Sequence, residues 1–419
     1  MIFLASRLSL SLCRRAETSA VLEANLRGRN HSPFSKSQQQ LRTFAADTVY
    51  KFTVTPKHLE TVKATLPLVG QAGTDFTKHF YRRMFAANPG LLNVFNQTNQ
   101  AVGSQPKKLL ETVAVAASAA IETGELPGEA IEGICQKHAA LHITLEQYAV
   151  VGENLLGTIE DLLTTDQAVL EAWGALYQEI ATVFVTREKE IADKVASVPG
   201  SWSGRRRFKI VDKEKVSSVI TRFKFEPLDG KPTPEFEPGT YTTIWVPFPE
   251  GEECLHGAYK EQPRHYTLAM PRDGEPKNRY MSISVKKEGL VSSILHDSDI
   301  GTEWDLSAPH GCFVMSGVEK LWLTENDVPV VFLSAGVGIT PVLAMLENIY
   351  KTRPASWLHA AQNGDVHAYR DRLREISAIR AGELIRRVWY EDPLPEDGPP
   401  AGDGANPDLY NTNHETVPH

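Results

Sequence analysis

The sequence predicts three domains of different class in series: an all-α domain, an antiparallel β-barrel and a partial α/β domain. Three observations carry that reading. Apolar residues recur at helical spacing from Thr55 to about Ala196. Period-two runs bounded by turn residues follow the next linker. From Val328 onward, short apolar strands alternate with helical stretches, the pattern of a parallel sheet. At 419 residues the chain is also too long for one ordinary domain.

Residues 1–46 are expected to stand outside the fold. They carry Arg7, Arg14, Arg15, Arg27, Arg29, Lys36 and Arg42 against only Glu17 and Glu23, with many serines. That is a mitochondrial transit composition, with a processing point expected near Arg42-Thr43-Phe44-Ala45. The matrix is the expected location, with the cytoplasm as the alternative. The apolar run Ile2 to Cys13 is broken by Arg7 and is too short to span a bilayer.

Residues 47–196 read as the helical domain. Thr55-Pro56 is a cap followed by proline at the first helical position. Helical stripes follow, such as Val62, Leu66, Val69 and Ala172, Leu176, Ile180. Breaks are expected at Asn88-Pro89-Gly90 and Leu126-Pro127-Gly128. Residues 197–204 form a linker. Residues 205–325 read as the barrel, with strands over Val216–Phe225, Tyr241–Val246 and Tyr280–Val285 and turns at Asp229-Gly230 and Pro238-Gly239. Residues 326–390 read as the α/β part: strands at Val330–Leu333, Trp357–Ala360 and Leu384–Tyr390, helices from about Pro341 and over His367–Ile379. Residues 391–419, rich in Pro, Gly, Asp and Asn, read as loop or disorder.

The net charge of −8 argues against a nucleic-acid partner. No later run is long and apolar enough for membrane insertion, and a monomer is expected. Cys13, Cys135, Cys254 and Cys312 lie too far apart for a disulfide framework or a cysteine zinc site.

Chemistry-bearing residues of the helical part come in a telling order. Tyr81 lies in HFYRRMF, Phe95 in FNQTNQ, and Gln105, Leu109 and His138 follow. A haem in an apolar pocket needs one axial base and a distal side that admits gas. His138 is the candidate base, with Tyr148 and Glu188 as partners for its imidazole. A carboxylate accepting the far ring proton makes such a ligand more basic. Tyr81 and Gln105 would donate to bound dioxygen, Phe95 would wedge the haem plane, and Leu109 would crowd the gas site. Lys137 stands where a covalent haem would need a second cysteine, so haem b is expected.

Taken in order, these segments resemble the haem domain of flavohaemoglobins. The resemblance runs through HFYRRMFAANP, FNQTNQ, ICQKHAALHI, LEQYAVVGENLL, EAWGALYQEIATVF and REKEI, and covers Thr55 to Ile191. By position it implies distal Tyr81 and Gln105, proximal His138, and Tyr148 with Glu188 behind it.

The later motifs are similar to the same family's reductase part. Arg264-His265-Tyr266-Thr267 fits its Arg-x-Tyr-Ser/Thr pattern, in which Arg pairs with the flavin diphosphate and Tyr lies against the ring. Tyr241 precedes it in Pro238-Gly239-Thr240-Tyr241. Gly289, Val291, Ser292 and Ser293 open a helix whose N-terminus suits a phosphate. Pro309-His310-Gly311-Cys312-Phe313 is similar to the family's turn. Gly336, Gly338, Thr340 and Pro341 in SAGVGITP follow a strand and open a helix, a turn that lets a backbone approach pyrophosphate. HAAQNGDVHAY also matches the nicotinamide segment. The resemblance therefore implies a globin domain, an FAD barrel and a partial NAD(P)-binding domain of ferredoxin-reductase type.

The implied activity is nitric oxide dioxygenation: NO and O2 become nitrate at haem b, with electrons from NAD(P)H through FAD. The family continues with further strands, a Cys-Gly-Pro turn and a terminal aromatic residue, and none appears after Tyr390. Two alternatives therefore stand beside the dioxygenase: a gas-binding or sensing globin that does not turn over, and an FAD diaphorase.

Overall fold

The computed structural model describes residues 3–5, 48–101, 104–315, 330–349, 354–379, 384–397 and 410–411. The transit segment expected over residues 1–46 lies outside these, apart from Phe3–Ala5. That short piece, β1, pairs in parallel with a strand of the last sheet.

The helical domain is as the sequence pattern implies. Helix α1 (Pro56–Ala87) starts at Thr55, whose Oγ1 accepts from the His58 N–H at 3.3 Å. It bends at Gly73 and stops at the expected Asn88-Pro89-Gly90 break, which becomes a 3-10 turn over Pro89–Asn93. Helices α2 (Gln97–Ala101) and α3 (Ser104–Glu122) follow. The second break is a short strand, β3 (Glu125–Pro127), antiparallel to β2 (Val49–Lys51). Then come α4 (Gly128–Leu141), α5 (Leu145–Leu162), opened by a Thr144/Gln147 capping box, and α6 (Gln167–Ala196), capped by Asp166. Their facing stripes bury Phe80, Met84, Phe85, Trp173 and Leu176. Each such side chain contributes about 1.5–3 kcal/mol on leaving water.

The barrel strands are β4 (Arg205–Lys215), β5 (Ile220–Pro227), β6 (Tyr241–Cys254), β7 (Gly257–Thr267), β8 (Met281–Lys286) and β9 (Glu303–Ser307), in the order β7-β6-β9-β4-β5-β8. A bridge between Leu268 and Ile283 joins the two ends. Helix α7 (Leu290–Asp297) follows β8. The expected Pro238-Gly239 turn has a strict cause. Gly239 has φ +100, and a Cβ there would sit 2.0 Å from the Phe313 carbonyl oxygen.

The last sheet is parallel, in the order β1-β10-β11-β12-β13, with β10 (Val330–Ala335), β11 (Ala355–Ala361), β12 (Leu384–Tyr390) and β13 (Tyr410–Asn411). Helix α8 (Ile339–Ile349) follows β10, and α9 (Arg370–Ile379) lies between β11 and β12. Three features correct the expectation that both ends of the chain lie outside the fold. Phe3–Ala5 and Tyr410–Asn411 cover the two edges of the three-stranded core, and Asp397 is buried, accepting from the Gly364 and Leu394 N–H groups at 3.0 and 2.8 Å. Open edges of a sheet recruit extended backbone through main-chain groups alone. Segments this short carry no side-chain period for a pattern to reveal.

A row of buried rings crosses the carboxyl end of this sheet. Trp357 stacks on His359, and His359 lies tilted against His367, each pair at 5.0 Å between centroids. Ser334 Oγ meets His359 Nδ1 at 2.8 Å, and His367 Nδ1 meets the Tyr390 hydroxyl at 2.9 Å. Burial holds both imidazoles neutral and lowers His367 to about 3. The unfolded chain therefore binds protons that the fold refuses once pH drops below about 6.5. Stability of the α/β part should be full above that pH and be lost as pH falls from there towards about 3. Calorimetric melting against pH tests this, and His367→Phe should make the slope shallower.

Candidate functional site

Helix α4 presents His138 one turn before its end, and α5 and α6 present Tyr148 and Glu188 to the same ring. His138 Nδ1 lies 2.8 Å from Glu188 Oε1 and 2.8 Å from the Tyr148 hydroxyl. The Tyr148 hydroxyl donates to Glu188 Oε1 at 2.5 Å. Glu188 is buried, so its carboxylate depends on these partners. A carboxylate at Nδ1 requires the proton there, which makes Nε2 the lone-pair nitrogen. Burial, followed by the adjacent Glu188 charge, pushes the Tyr148 phenol well above its ordinary pKa and keeps it a donor. The three proximal residues expected from the sequence therefore meet in one unit.

On α1, Tyr81 is only 2% exposed and packs among aromatic rings. Phe80, Phe85 and Phe95 lie 5.0, 5.6 and 5.7 Å from it between centroids. The expected Tyr81–Phe95 pair is thus in contact. Burial raises the phenol's pKa strongly, so it stays protonated at physiological pH. Leu109 lines an apolar cavity with Phe80, Phe76, Val113, Leu155 and Trp173.

Gln105 lies on α3, and its side chain is outside the described ones. The described amide nearest in role is Gln100, which sequence reasoning missed. It is 5% exposed and close enough to lower the Tyr81 pKa slightly, without a well-aligned hydrogen bond. Nothing in the pattern QTNQ distinguishes it from its neighbours.

In the barrel, β7 divides the Arg264–Thr267 motif, because successive side chains point to opposite faces. Arg264 and Tyr266 share one face, opposite Ile244 and Thr242 of β6. His265 and Thr267 share the other, opposite Thr243 and Tyr241. His265 Nδ1 meets Thr243 Oγ1 at 2.9 Å, and its ring lies 4.9 Å from Tyr241. Burial lowers its pKa to about 3, so it is a neutral cross-strand partner and not a charge for a phosphate. His265, expected with Arg264, Tyr266 and Thr267 among the cofactor-binding residues, meets Thr243 and Tyr241.

Gly289, Val291, Ser292 and Ser293 stand at the start of α7 as expected. There Ser292 Oγ accepts from the Glu288 and Gly289 N–H groups at 2.9 Å, closing the turn on itself. In the α/β part, Gly336 takes φ +49 straight after β10, in a 3-10 turn over Gly336–Gly338. Helix α8 then opens at Ile339, with Thr340 and Pro341 in its first turn. This is the strand–turn–helix geometry that a dinucleotide phosphate needs.

The donor sets fit the expected groups. Among the described residues no cluster of three or more His, Cys, Asp or Glu could cage a bare ion. A carboxylate-backed imidazole, in a domain that also buries a phenol, matches instead an iron whose other ligands come from a porphyrin. Arg264 and the α7 and α8 N-termini supply positive ends for a flavin diphosphate and a nicotinamide dinucleotide. No described helix is long and apolar enough to cross a membrane.

Comparison with known proteins agrees with this geometry. A globin family model matches residues 78–184, and an oxidoreductase NAD-binding domain model matches residues 332–406. The flavohemoprotein of Rhizobium meliloti (strain 1021) is 37% identical over 357 residues, covering 82% of this chain and 83% of that protein. The crystal structure of flavohemoglobin from Malassezia yamatoensis, with bound FAD and heme, has the same fold. It superposes with a TM-score of 0.68 over 80% of this chain and 85% of its own, at 24% identity.

The carboxylate behind His138 gives a direct test. Glu188→Gln keeps the shape but removes the charge, and should weaken haem retention by roughly 10–100-fold. Transfer of hemin to apomyoglobin measures it; an unchanged rate would show that Glu188 does not act on the ligand.

Proposed function

The chain belongs to the flavohaemoglobins, and from that membership we propose that it is an NAD(P)H-dependent nitric oxide dioxygenase holding haem b and FAD. When bound, haem supplies the iron at which O2 binds and NO is oxidised to nitrate, and FAD supplies the electrons taken from NAD(P)H. The contact between His138 Nδ1 and Glu188 at 2.8 Å carries the reading. A carboxylate-backed ligand pushes electron density towards oxygen, which suits chemistry more than storage.

The chain's residues have distinct tasks. His138 would hold the iron through Nε2, and Tyr148 and Glu188 orient its ring from Nδ1. Tyr81, held protonated by burial, offers its hydroxyl to the gas ligand, and Gln105 is the second expected donor. Phe80, Phe85 and Phe95 keep water from the phenol. Arg264 would neutralise the flavin diphosphate, and Tyr266, on the same face of β7, would lie against the ring system, while Tyr241, on the opposite face with Thr267, is a further residue expected at the cofactor. The Gly336 turn and the start of α8 receive the dinucleotide. The basic, Ser-rich residues 1–46 support delivery to the mitochondrial matrix, and the protein acts as a monomer.

Steady-state NO consumption with NADH, accompanied by matching nitrate, is the expected result. A single stoichiometric burst would mark a gas sink, and NADH oxidation without nitrate a diaphorase. His138→Ala should purify without a Soret band. Tyr81→Phe should speed O2 release by roughly one to two decades, from the loss of a bond worth about 1.5–3 kcal/mol. Stopped-flow displacement of O2 by CO reads this directly. Arg264→Ala should purify without yellow flavin absorbance.

A further inference from the structure

The barrel touches the helical domain through two groups of contacts. In the first, the Gln136 side-chain oxygen accepts from the Gly311 N–H at 3.0 Å. The His142 ring stacks on Trp245 at 5.6 Å and 16°, and the Arg205 guanidinium lies 4.3 Å from the same indole. In the second, Asn93 Oδ1 accepts from the Lys260 and Glu261 N–H groups at 2.7 and 3.1 Å. The centre of the second group is Gln262, which is completely buried.

Gln262 uses every hydrogen-bonding position of its amide. Nε2 donates to the Leu92 carbonyl at 2.9 Å and to the Glu261 carbonyl at 3.0 Å. Oε1 accepts from the Gln97 N–H at 3.2 Å and from Arg264 Nη1 at 3.3 Å. Gln97 in turn donates to the Leu92 and Phe95 carbonyls at 2.8 and 3.0 Å. One side chain thus ties the loop that carries Phe95, against Tyr81, to the arginine assigned to the flavin diphosphate. A flipped amide would set like groups against each other at each contact, so the geometry has a single solution.

We propose that Gln262 is the positioning residue that holds the flavin and haem sites in register for electron transfer. This rests on the dioxygenase reading above. Reduced flavin gives one electron to iron(III), which becomes iron(II); two such transfers return the flavin to its oxidised form, and its protons pass to solvent. The electrons originate as hydride from NAD(P)H. Electron transfer slows steeply as the distance between donor and acceptor grows, so displacing either partner lowers the rate. Nothing in the Gln262 contacts touches the reacting atoms, so its effect falls on distance and orientation.

The test uses the full chain loaded with haem and FAD, without oxygen and under CO. A photoexcited deazaflavin with EDTA as sacrificial donor reduces the flavin, which makes the measurement independent of NADH. The rise of the ferrous–CO Soret band then reports electron arrival at iron. Gln262→Leu removes all four bonds and should slow this arrival several-fold, with haem and flavin absorbance unchanged. Gln262→Glu keeps both acceptor contacts, loses the donations to Leu92 and Glu261, and should fall between. If Gln262→Leu does not retain both cofactors, Gln262→Glu and Asn93→Ala, in the same group, carry the test, each expected to be slower than wild type. Rates equal to wild type in variants holding both cofactors would overturn the proposal. No electron arrival in the wild type would instead overturn the functional reading.

Discussion

The hydrogen bond between His138 and Glu188 governs the most about this molecule. A buried carboxylate is costly unless its lone pairs are used, and the penalty for an unpaired one is several kcal/mol. Glu188 receives two strong donors, the imidazole N–H and the Tyr148 hydroxyl, each worth about 1.5–3 kcal/mol as a bond to a charged group. These donors meet the buried acid at one point because α4, α5 and α6 converge there. The arrangement then fixes the tautomer of His138, and the tautomer fixes which nitrogen meets iron. Fold, charge and ligand chemistry are settled by the same three side chains.

The distal side depends on the opposite strategy. Tyr81 has no charged partner, and its phenol is kept protonated by exclusion of water. The surrounding Phe80, Phe85 and Phe95 give the phenol an apolar wall that does not compete for its hydrogen. A donor held in that setting is worth more to a polar gas ligand than the same hydroxyl in water. One face of the site is thus built from charge-assisted bonds and the other from desolvation.

Much of this was legible from residue order. Helical period, the Thr55-Pro56 cap and the Asn88-Pro89-Gly90 break located α1; Tyr81 meets Phe95, and His138 meets Tyr148 and Glu188. Other features left no local signature. The edge strands Phe3–Ala5 and Tyr410–Asn411 are held by main-chain bonds, to which side-chain patterns are blind. His265 sits inside a motif with three other candidates, and only strand alternation shows that it faces Thr243. Gln100 approaches Tyr81 across space from a short polar helix whose residues look interchangeable in sequence.

Strand β7 shows why the two halves must be understood together. It begins beside the helical domain, where Lys260 and Glu261 bond Asn93, and runs on to Arg264, Tyr266 and Thr267. A strand rises only about 3.3 Å per residue, so the interface contact and the flavin motif lie within a few residues of rigid backbone. A connecting segment alone does not hold two cofactors in register. Covalent continuity along β7 does, provided its near end is anchored. The anchor is a neutral amide, which incurs no charge-desolvation cost and tolerates only one set of partners. An ion pair in the same buried position would cost more to desolvate and could be satisfied in more than one geometry, so a fully satisfied glutamine is the better choice where distance has to be fixed.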